Sequence, residues 1–156
     1  MTTARLDRVF TFEDQLSFLI PHDWVEADEE GGNYLYHAPN TDSGWLRASL
    51  ISIKRGCPEA ELRSLLNERA QQENGRLYDR DDNIVVAWQK NSEEDGDPIV
   101  NFWWGVGHYH GPTLCHEALF SFTVLAERKE HPETVETVAL LGELVAQARF
   151  VPPKVV

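Results

Sequence analysis

The feature that most constrains this chain is a series of three alternating segments between residues 83 and 126. Ile84–Lys90, Ile99–Tyr109 and Leu114–Ala126 repeat apolar side chains at every second position, which is the period of a β-strand. Gly111-Pro112 predicts a tight turn between the last two segments, and the acidic segment Ser92–Pro98 predicts a turn between the first two. Because connections this short join antiparallel neighbours, the sequence predicts a three-stranded antiparallel meander.

Shorter alternating segments precede the meander, and two amphipathic segments predict helices. The other predicted strands and the acidic turn among them are Gln15–Ile20, Trp24-Val25, Asn33–Ala38, Trp45–Ile53 and the turn Glu26–Glu30 with Gly31-Gly32. One helix begins at Pro58 and ends at Gly75; a second begins at Pro132. Their apolar stripes are Leu62, Leu65, Leu66 and Ala70, and Val135, Val138, Leu141, Val145 and Ala148. We therefore expect an α+β fold, one domain over residues 1–156, in which two main helices cover an antiparallel sheet as an α/β/α-like sandwich.

The charge of the chain excludes several classes of partner. The net charge is −12 over 156 residues, and no cluster of Lys and Arg exceeds a pair such as Lys54-Arg55. Nucleic acids and anionic membranes need a basic face, so neither is an expected partner. No apolar segment is long enough to span a membrane, and the first eight residues are too polar for a signal peptide. We expect a cytoplasmic protein with no membrane insertion.

The two cysteines, Cys57 and Cys115, are too few for a disulfide scaffold and form no CxxC motif. In the cytoplasm both are expected to be reduced. The sequence contains no GxSxG, HExxH or phosphate-binding glycine motif. It therefore gives no sign of nucleophilic or nucleotide-dependent catalysis.

The segment Phe18-Leu19-Ile20-Pro21-His22-Asp23-Trp24 resembles the F-x-[IL]-P-x-x-W start of the PsbP-like superfamily. The late strand 118–124 and the closing Ala148-Arg149-Phe150 are similar to that superfamily's C-terminal strand, with Ala148 in place of its Ser. The group includes the photosystem II PsbP subunit, a Ran-binding nuclear import factor, and bacterial lipoproteins and secretion-effector chaperones. The resemblance implies an antiparallel sheet between helices and a binding function, and it implies no shared catalytic residues.

Histidines concentrate around the last predicted hairpin turn, at His108, His110 and His116. If both strands direct their apolar faces to one core, His110 lies opposite Leu114 and His116 lies opposite His108. A register shifted by one residue would instead group His108 and His110 with Cys115 and Glu117. Either set offers zinc ligands, although three imidazoles would leave one coordination position open. The alternatives are half-exposed hairpin histidines without a metal, and a cluster that responds to pH.

Aromatic residues are the second candidate site. Trp103 and Trp104 are neighbours on one strand and must face opposite sides of the sheet, so at least one needs a helix, ligand or partner to cover it. One interpretation is burial of the second tryptophan under a helix, and the alternative is a groove that binds a peptide or another apolar segment. The predicted binding residues are Trp103, Trp104, Trp45, Tyr34 and Tyr36.

Two functions follow from these observations. The first is a small non-enzymatic binding or adaptor protein of chaperone or immunity type, which engages a protein partner through a sheet face or the aromatic groove and possesses no cofactor. A homodimer is compatible with this prediction. The alternative is a small metal-dependent enzyme with zinc at His108, His110 and His116. The acidic turns could also frame a site for a basic partner.

Overall fold

The computed structural model describes residues 5–28, 33–39, 43–112 and 114–152. The first strands are β1 Leu6–Thr11, β2 Leu16–Pro21, β3 Val25–Asp28, β4 Tyr34–His37 and β5 Trp45–Arg55. They are followed by α1 Glu59–Gln72, β6 Arg76–Arg80, β7 Asn83–Glu94, β8 Asp97–Tyr109, β9 Leu114–Leu125, α2 Pro132–Ala146 and β10 Arg149–Phe150. The predicted turn at 26–32 lies partly outside the described residues, and its first part belongs to β3.

These strands form two antiparallel sheets. The large sheet has seven strands in the order β3-β4-β5-β9-β8-β7-β6, and the small sheet has three in the order β1-β2-β10. The predicted meander is the β7-β8-β9 part of the large sheet. The acidic segment between β7 and β8 is not a long turn, because both strands continue through it. The chain reverses at Asp95 and Gly96, whose φ values of 52° and 85° belong to a two-residue hairpin turn.

The main core lies between the two sheets. The alternating apolar residues of β2 face the large sheet, and Phe18 makes edge-to-face contacts with Tyr36 and Phe120 at ring separations of 5.7 and 5.1 Å. Helix α2 lies beside β2 and contributes Leu141 and Val145 to the same core. This face of the large sheet is therefore covered by a second sheet and one helix together.

The opposite face carries α1, which packs on β6, β7 and β8. Leu62 and Leu66 fill the space above two glycines of β8, Gly105 and Gly107. A Cβ atom on Gly107 would lie 2.8 Å from Leu66 Cδ1, so the absence of a side chain lets the helix approach the sheet closely.

The predicted α+β sandwich with two covering helices is wrong. The fold is mostly β, and the helices do not cover the large sheet as predicted. The small sheet was missed because β1 is largely exposed and lacks the alternation of a half-buried strand, and because β10 has only two residues. The first residue of the predicted α2 stripe, Val135, is also not buried: it is 55% exposed.

Candidate functional site

A cavity lies where α2 meets the β6 edge of the large sheet, and we call it the aromatic groove. It has a volume of about 720 Å³. Its aromatic walls are Tyr78 on β6, Trp88 on β7, and Phe102, Trp103 and Trp104 on β8. Helix α2 closes one side with Val138, Ala139, Gly142 and Glu143. The groove therefore has an aromatic sheet wall and a largely apolar helical wall.

The two neighbouring tryptophans of β8 occupy opposite faces of the sheet, as the strand period requires. Trp104 is buried in the main core, and its indole lies against Gly142 of α2. Trp103 is half-buried and stacks on Trp88, its partner across the strand pair, with ring centroids 5.9 Å apart and planes 9° apart. The guanidinium of Arg69 lies 5.6 Å from the Trp88 ring. Trp88 and Trp103 thus form a rigid stacked surface rather than two separate side chains.

Helix α2 extends the apolar surface along the sheet. Beyond the aromatic groove, a further cavity of about 280 Å³ shares the lining residues Gln89, Phe102 and Val138 and adds Val135. Val135 lies in the first turn of α2 and lines this cavity, which explains why its side chain is exposed. The two cavities share these residues along one side of α2.

The outer edge of β7 borders the groove. Strand β6 pairs with β7 from Asn83 to Ala87, whereas β7 continues to Glu94. From Trp88 onwards, no strand in the described part of the chain pairs with this edge. Its outward backbone N–H and C=O groups are therefore available to a further strand.

The structure separates the predicted aromatic site residues. Trp103 and Trp104 line the groove, and Trp45, Tyr34 and Tyr36 do not. Tyr36 is buried in the main core, where burial raises the pKa of its hydroxyl. The Tyr34 hydroxyl accepts a hydrogen bond from the backbone N–H of Phe12 at 2.9 Å. Trp45 packs on the ring of a neighbouring histidine in β4.

Sequence reasoning missed several groove residues. Tyr78 lies on a short strand that was not predicted, and Phe102 and Val138 meet only because of how α2 packs on β8. The pairing of Trp88 with Trp103 had a local signal, since both lie in predicted strands joined by a short turn.

The histidine cluster occupies the opposite end of β8. The structure adopts the register in which His108 pairs with His116, and the backbone N–H of His110 donates to the carbonyl of Leu114 at 2.9 Å. His110 Nε2 and His116 Nδ1 are 2.7 Å apart. The Phe150 ring of β10 stacks on His108 and on His116, at centroid distances of 5.7 and 5.5 Å.

The side-chain amides of Asn83 and Gln15 determine which ring nitrogens of the histidine cluster carry a proton. Asn83 Nδ2 donates to the carbonyls of Ala146 and Ala148, so its Oδ1 accepts from Nδ1–H of His108 at 2.8 Å. Neutral His108 then carries its lone pair on Nε2.

In the same way, His116 Nε2 donates to Gln15 Oε1 at 3.1 Å. Its Nδ1 must accept from Nε2–H of His110, which leaves the lone pair of His110 on Nδ1. Gln15, Asn83 and Phe150, which sequence reasoning missed, thereby determine the tautomers and the packing of all three rings.

Burial and mutual repulsion disfavour positive charge in this cluster. His116 is fully buried, and desolvation together with His110 and His108 lowers its pKa to about 4. Desolvation also lowers the pKa of His110, with a further contribution from His108. Desolvation lowers the pKa of His108 as well, against a raising effect of Asp82. At neutral pH the three imidazoles are therefore uncharged.

The predicted zinc ligands are close together, but both ring nitrogens of His116 are engaged in hydrogen bonds. Within the described residues, no three His, Cys, Asp or Glu side chains are arranged to hold a metal ion. Cys115 faces the side of the sheet that carries α1, where it packs in an apolar cluster with Leu62 and Leu66 and does not join the histidines. Zinc binding at His108, His110 and His116 stays a prediction.

No helix in the described part of the chain is long and apolar enough to cross a membrane. No protein-family model matches the chain, and no curated protein matches it. The chain is similar in fold to several solved structures, among them the following two. A protein of Bacteroides thetaiotaomicron matches with a TM-score of 0.60 and 18% identity over 93% of this chain, which spans 48% of that protein. LpqN, involved in cell envelope biogenesis of Mycobacterium tuberculosis, matches with a TM-score of 0.59 and 10% identity over 97% of this chain and 93% of its own. At these identities the likeness shows a shared fold, and the resemblance to the PsbP-like superfamily stays a prediction.

Proposed function

We propose that this chain is a non-enzymatic binding protein that holds an extended, apolar segment of a protein partner in the aromatic groove. The observation that carries the proposal is the position of the groove, directly beside an unpaired strand edge. A cavity of about 720 Å³ is within the size range of binding sites, roughly 300–1,000 Å³. Aromatic walls supply contact area at a low cost in side-chain entropy.

The unpaired edge of β7 specifies how the segment binds. An extended peptide that adds to this edge satisfies the outward N–H and C=O groups of β7 beyond Trp88. Its side chains then alternate between the two faces of the sheet. One set meets Phe102 and Val138 on the α2 side, and the other meets the stacked Trp88 and Trp103.

The charge at one end of this edge favours a basic residue in the partner. The hairpin that ends β7 carries Glu93, Glu94, Asp95 and Asp97, all exposed. A Lys or Arg of the bound segment beside this turn gains a modest attraction, worth about 0.2–1 kcal/mol for an exposed pair. The partner segment is therefore expected to be apolar in its centre and basic at one end.

Panning a phage library of random 12-residue peptides against the full chain tests this proposal. The selected peptides are synthesised, and their affinities are measured by fluorescence anisotropy against the wild type, Trp103→Ala and Val135→Asp. We expect apolar sequences with a basic end, and at least about tenfold weaker binding to Trp103→Ala. The control is Trp45→Ala, which removes a tryptophan outside the groove.

Backbone N-methylation of a selected peptide at alternate residues separates strand addition from groove binding alone, since it removes the donors that would pair with β7. Equal affinity of the methylated peptide would contradict addition to the edge. Equal affinity of the wild type, Trp103→Ala and Val135→Asp, or no enrichment over empty support, would overturn the proposed function. A cytoplasmic location belongs to the same proposal, and fractionation of the native host with an antibody against the chain checks it.

A further inference from the structure

The two cysteines of the chain meet at the start of α1, and neither lines the aromatic groove. Cys57 and Cys115 are 58 positions apart in sequence, and both are buried. They belong to one apolar cluster with Leu62, Leu66 and Ile84 between α1 and the large sheet. With two cysteines in the whole sequence, their meeting in space is the feature that the binding function does not use.

The backbone brings them together through the end of β5. Strand β5 pairs with β9 as far as Lys54 opposite Cys115 and Arg55 opposite Leu114. Gly56, with φ 66°, then turns the chain so that Cys57 returns over β9. A left-handed residue at this point is what places the second cysteine beside the first.

A direct contact joins the two residues. The Cys115 thiol donates to the Cys57 carbonyl at 2.8 Å. Cys57 Sγ makes a longer contact of 3.8 Å to the carbonyl of Pro58, so it is not held tightly elsewhere.

We infer that Cys57 and Cys115 form a reversible intramolecular disulfide by exchange with a small-molecule disulfide such as oxidised glutathione. The bond joins the start of α1 to β9 within the apolar cluster between α1 and the large sheet. The two reduced thiols expected from the sequence are the other redox state of the same pair.

The exchange proceeds in two balanced steps. The Cys57 thiolate attacks one sulfur of oxidised glutathione, forms a mixed disulfide and releases one glutathione thiolate. The Cys115 thiol loses its proton to solvent and attacks Cys57 Sγ, which releases the second glutathione. The protein loses two hydrogens, and one oxidised glutathione becomes two reduced ones.

The order of attack follows from the surroundings of each thiol. Burial and the neighbouring Cys57 raise the pKa of the Cys115 thiol to about 12. Since the thiolate is the nucleophile, this raised pKa makes Cys115 a poor first attacking group, and it acts second, once the mixed disulfide lies beside it. Because both thiols are buried, exchange is expected to be slow in the folded protein and fast in mild denaturant.

Incubation of the full chain with oxidised glutathione, in buffer and in 1–2 M urea followed by dilution, tests this inference. Intact mass spectrometry should show the loss of two hydrogens from a monomer, a tryptic map should contain the Cys57–Cys115 cross-linked peptide, and dithiothreitol should reverse both. Closing a loop of this length should raise the Tm of the oxidised protein by roughly 10 °C.

Cys115→Ser and Cys57→Ser are matched controls, each expected to keep its glutathione adduct and show no gain in Tm. The inference is overturned if the wild type keeps two free thiols in denaturant after oxidation, accumulates two glutathione adducts, or cross-links between chains. These readouts on the wild type stand even if a Ser variant fails to fold. They are also independent of peptide binding in the groove.

Discussion

The burial of His116 makes the stability of this protein sensitive to mild acid. In the unfolded chain the imidazole has its ordinary pKa of 6.5, and in the folded protein burial and the neighbouring histidines lower the pKa to about 4. The unfolded state therefore binds the proton more tightly than the folded state. Between these two values the free energy of unfolding falls as the pH falls.

The magnitude follows from the two pKa values. One unit corresponds to 1.36 kcal/mol, so full protonation of His116 costs about 3 kcal/mol of stability. At pH 5 the loss relative to pH 7.5 is about 2 kcal/mol. No charged partner within the cluster offsets this loss of stability. The groups that face His116 are His110, His108, Gln15 and Phe150. The carboxylate of Asp82 acts on His108 instead.

Urea unfolding followed by tryptophan fluorescence, at pH 7.5 and pH 5.0, measures this effect. His116→Gln keeps a hydrogen-bonding side chain but cannot titrate. At pH 7.5 the wild type should be the more stable protein, and at pH 5.0 its advantage should shrink by about 2 kcal/mol. Val145→Ala, a cavity variant in α2 without a titrating group, should show the same deficit at both pH values. If the difference between the wild type and His116→Gln is the same at both pH values, the reasoning on His116 is refuted.

Three further variants test the packing that positions the sites, each by the same urea unfolding at pH 7.5. Gly44→Ala should destabilise by about 3 kcal/mol, because φ is 113° and the new Cβ would lie 2.5 Å from the Phe122 ring; a loss below about 1 kcal/mol would contradict this. Asn83→Ala should cost about 2–3 kcal/mol by leaving the carbonyls of Ala146 and Ala148 without their donor, whereas exposed Asn91→Ala should change stability by less than about 0.5 kcal/mol. Gly107→Val should cost about 2 kcal/mol by displacing α1, and an unchanged midpoint would show that the helix moves freely.

Much of the large sheet could be predicted from the sequence. The alternation of β8 and β9, with a short turn between them, predicted the hairpin and left two registers open, and the structure adopts the one with His108 opposite His116, which directs both apolar faces to one core. It also placed Trp103 and Trp104 on opposite faces. These results depend on the two-residue strand period and on neighbours in sequence.

The small sheet and the chemistry of both sites could not be predicted in this way. Gln15 reaches His116 across 101 positions, and Asn83 binds the carbonyls of Ala146 and Ala148, 63 and 65 positions away. The groove depends on how α2 packs against β8, and the contact between Cys57 and Cys115 depends on the turn at Gly56. No local period encodes such contacts, since they form only when distant elements pack. The sequence alone therefore determined the strands of the meander, and the tertiary structure decided between their possible registers, what covers the sheet, which edge stays open and which side chains meet.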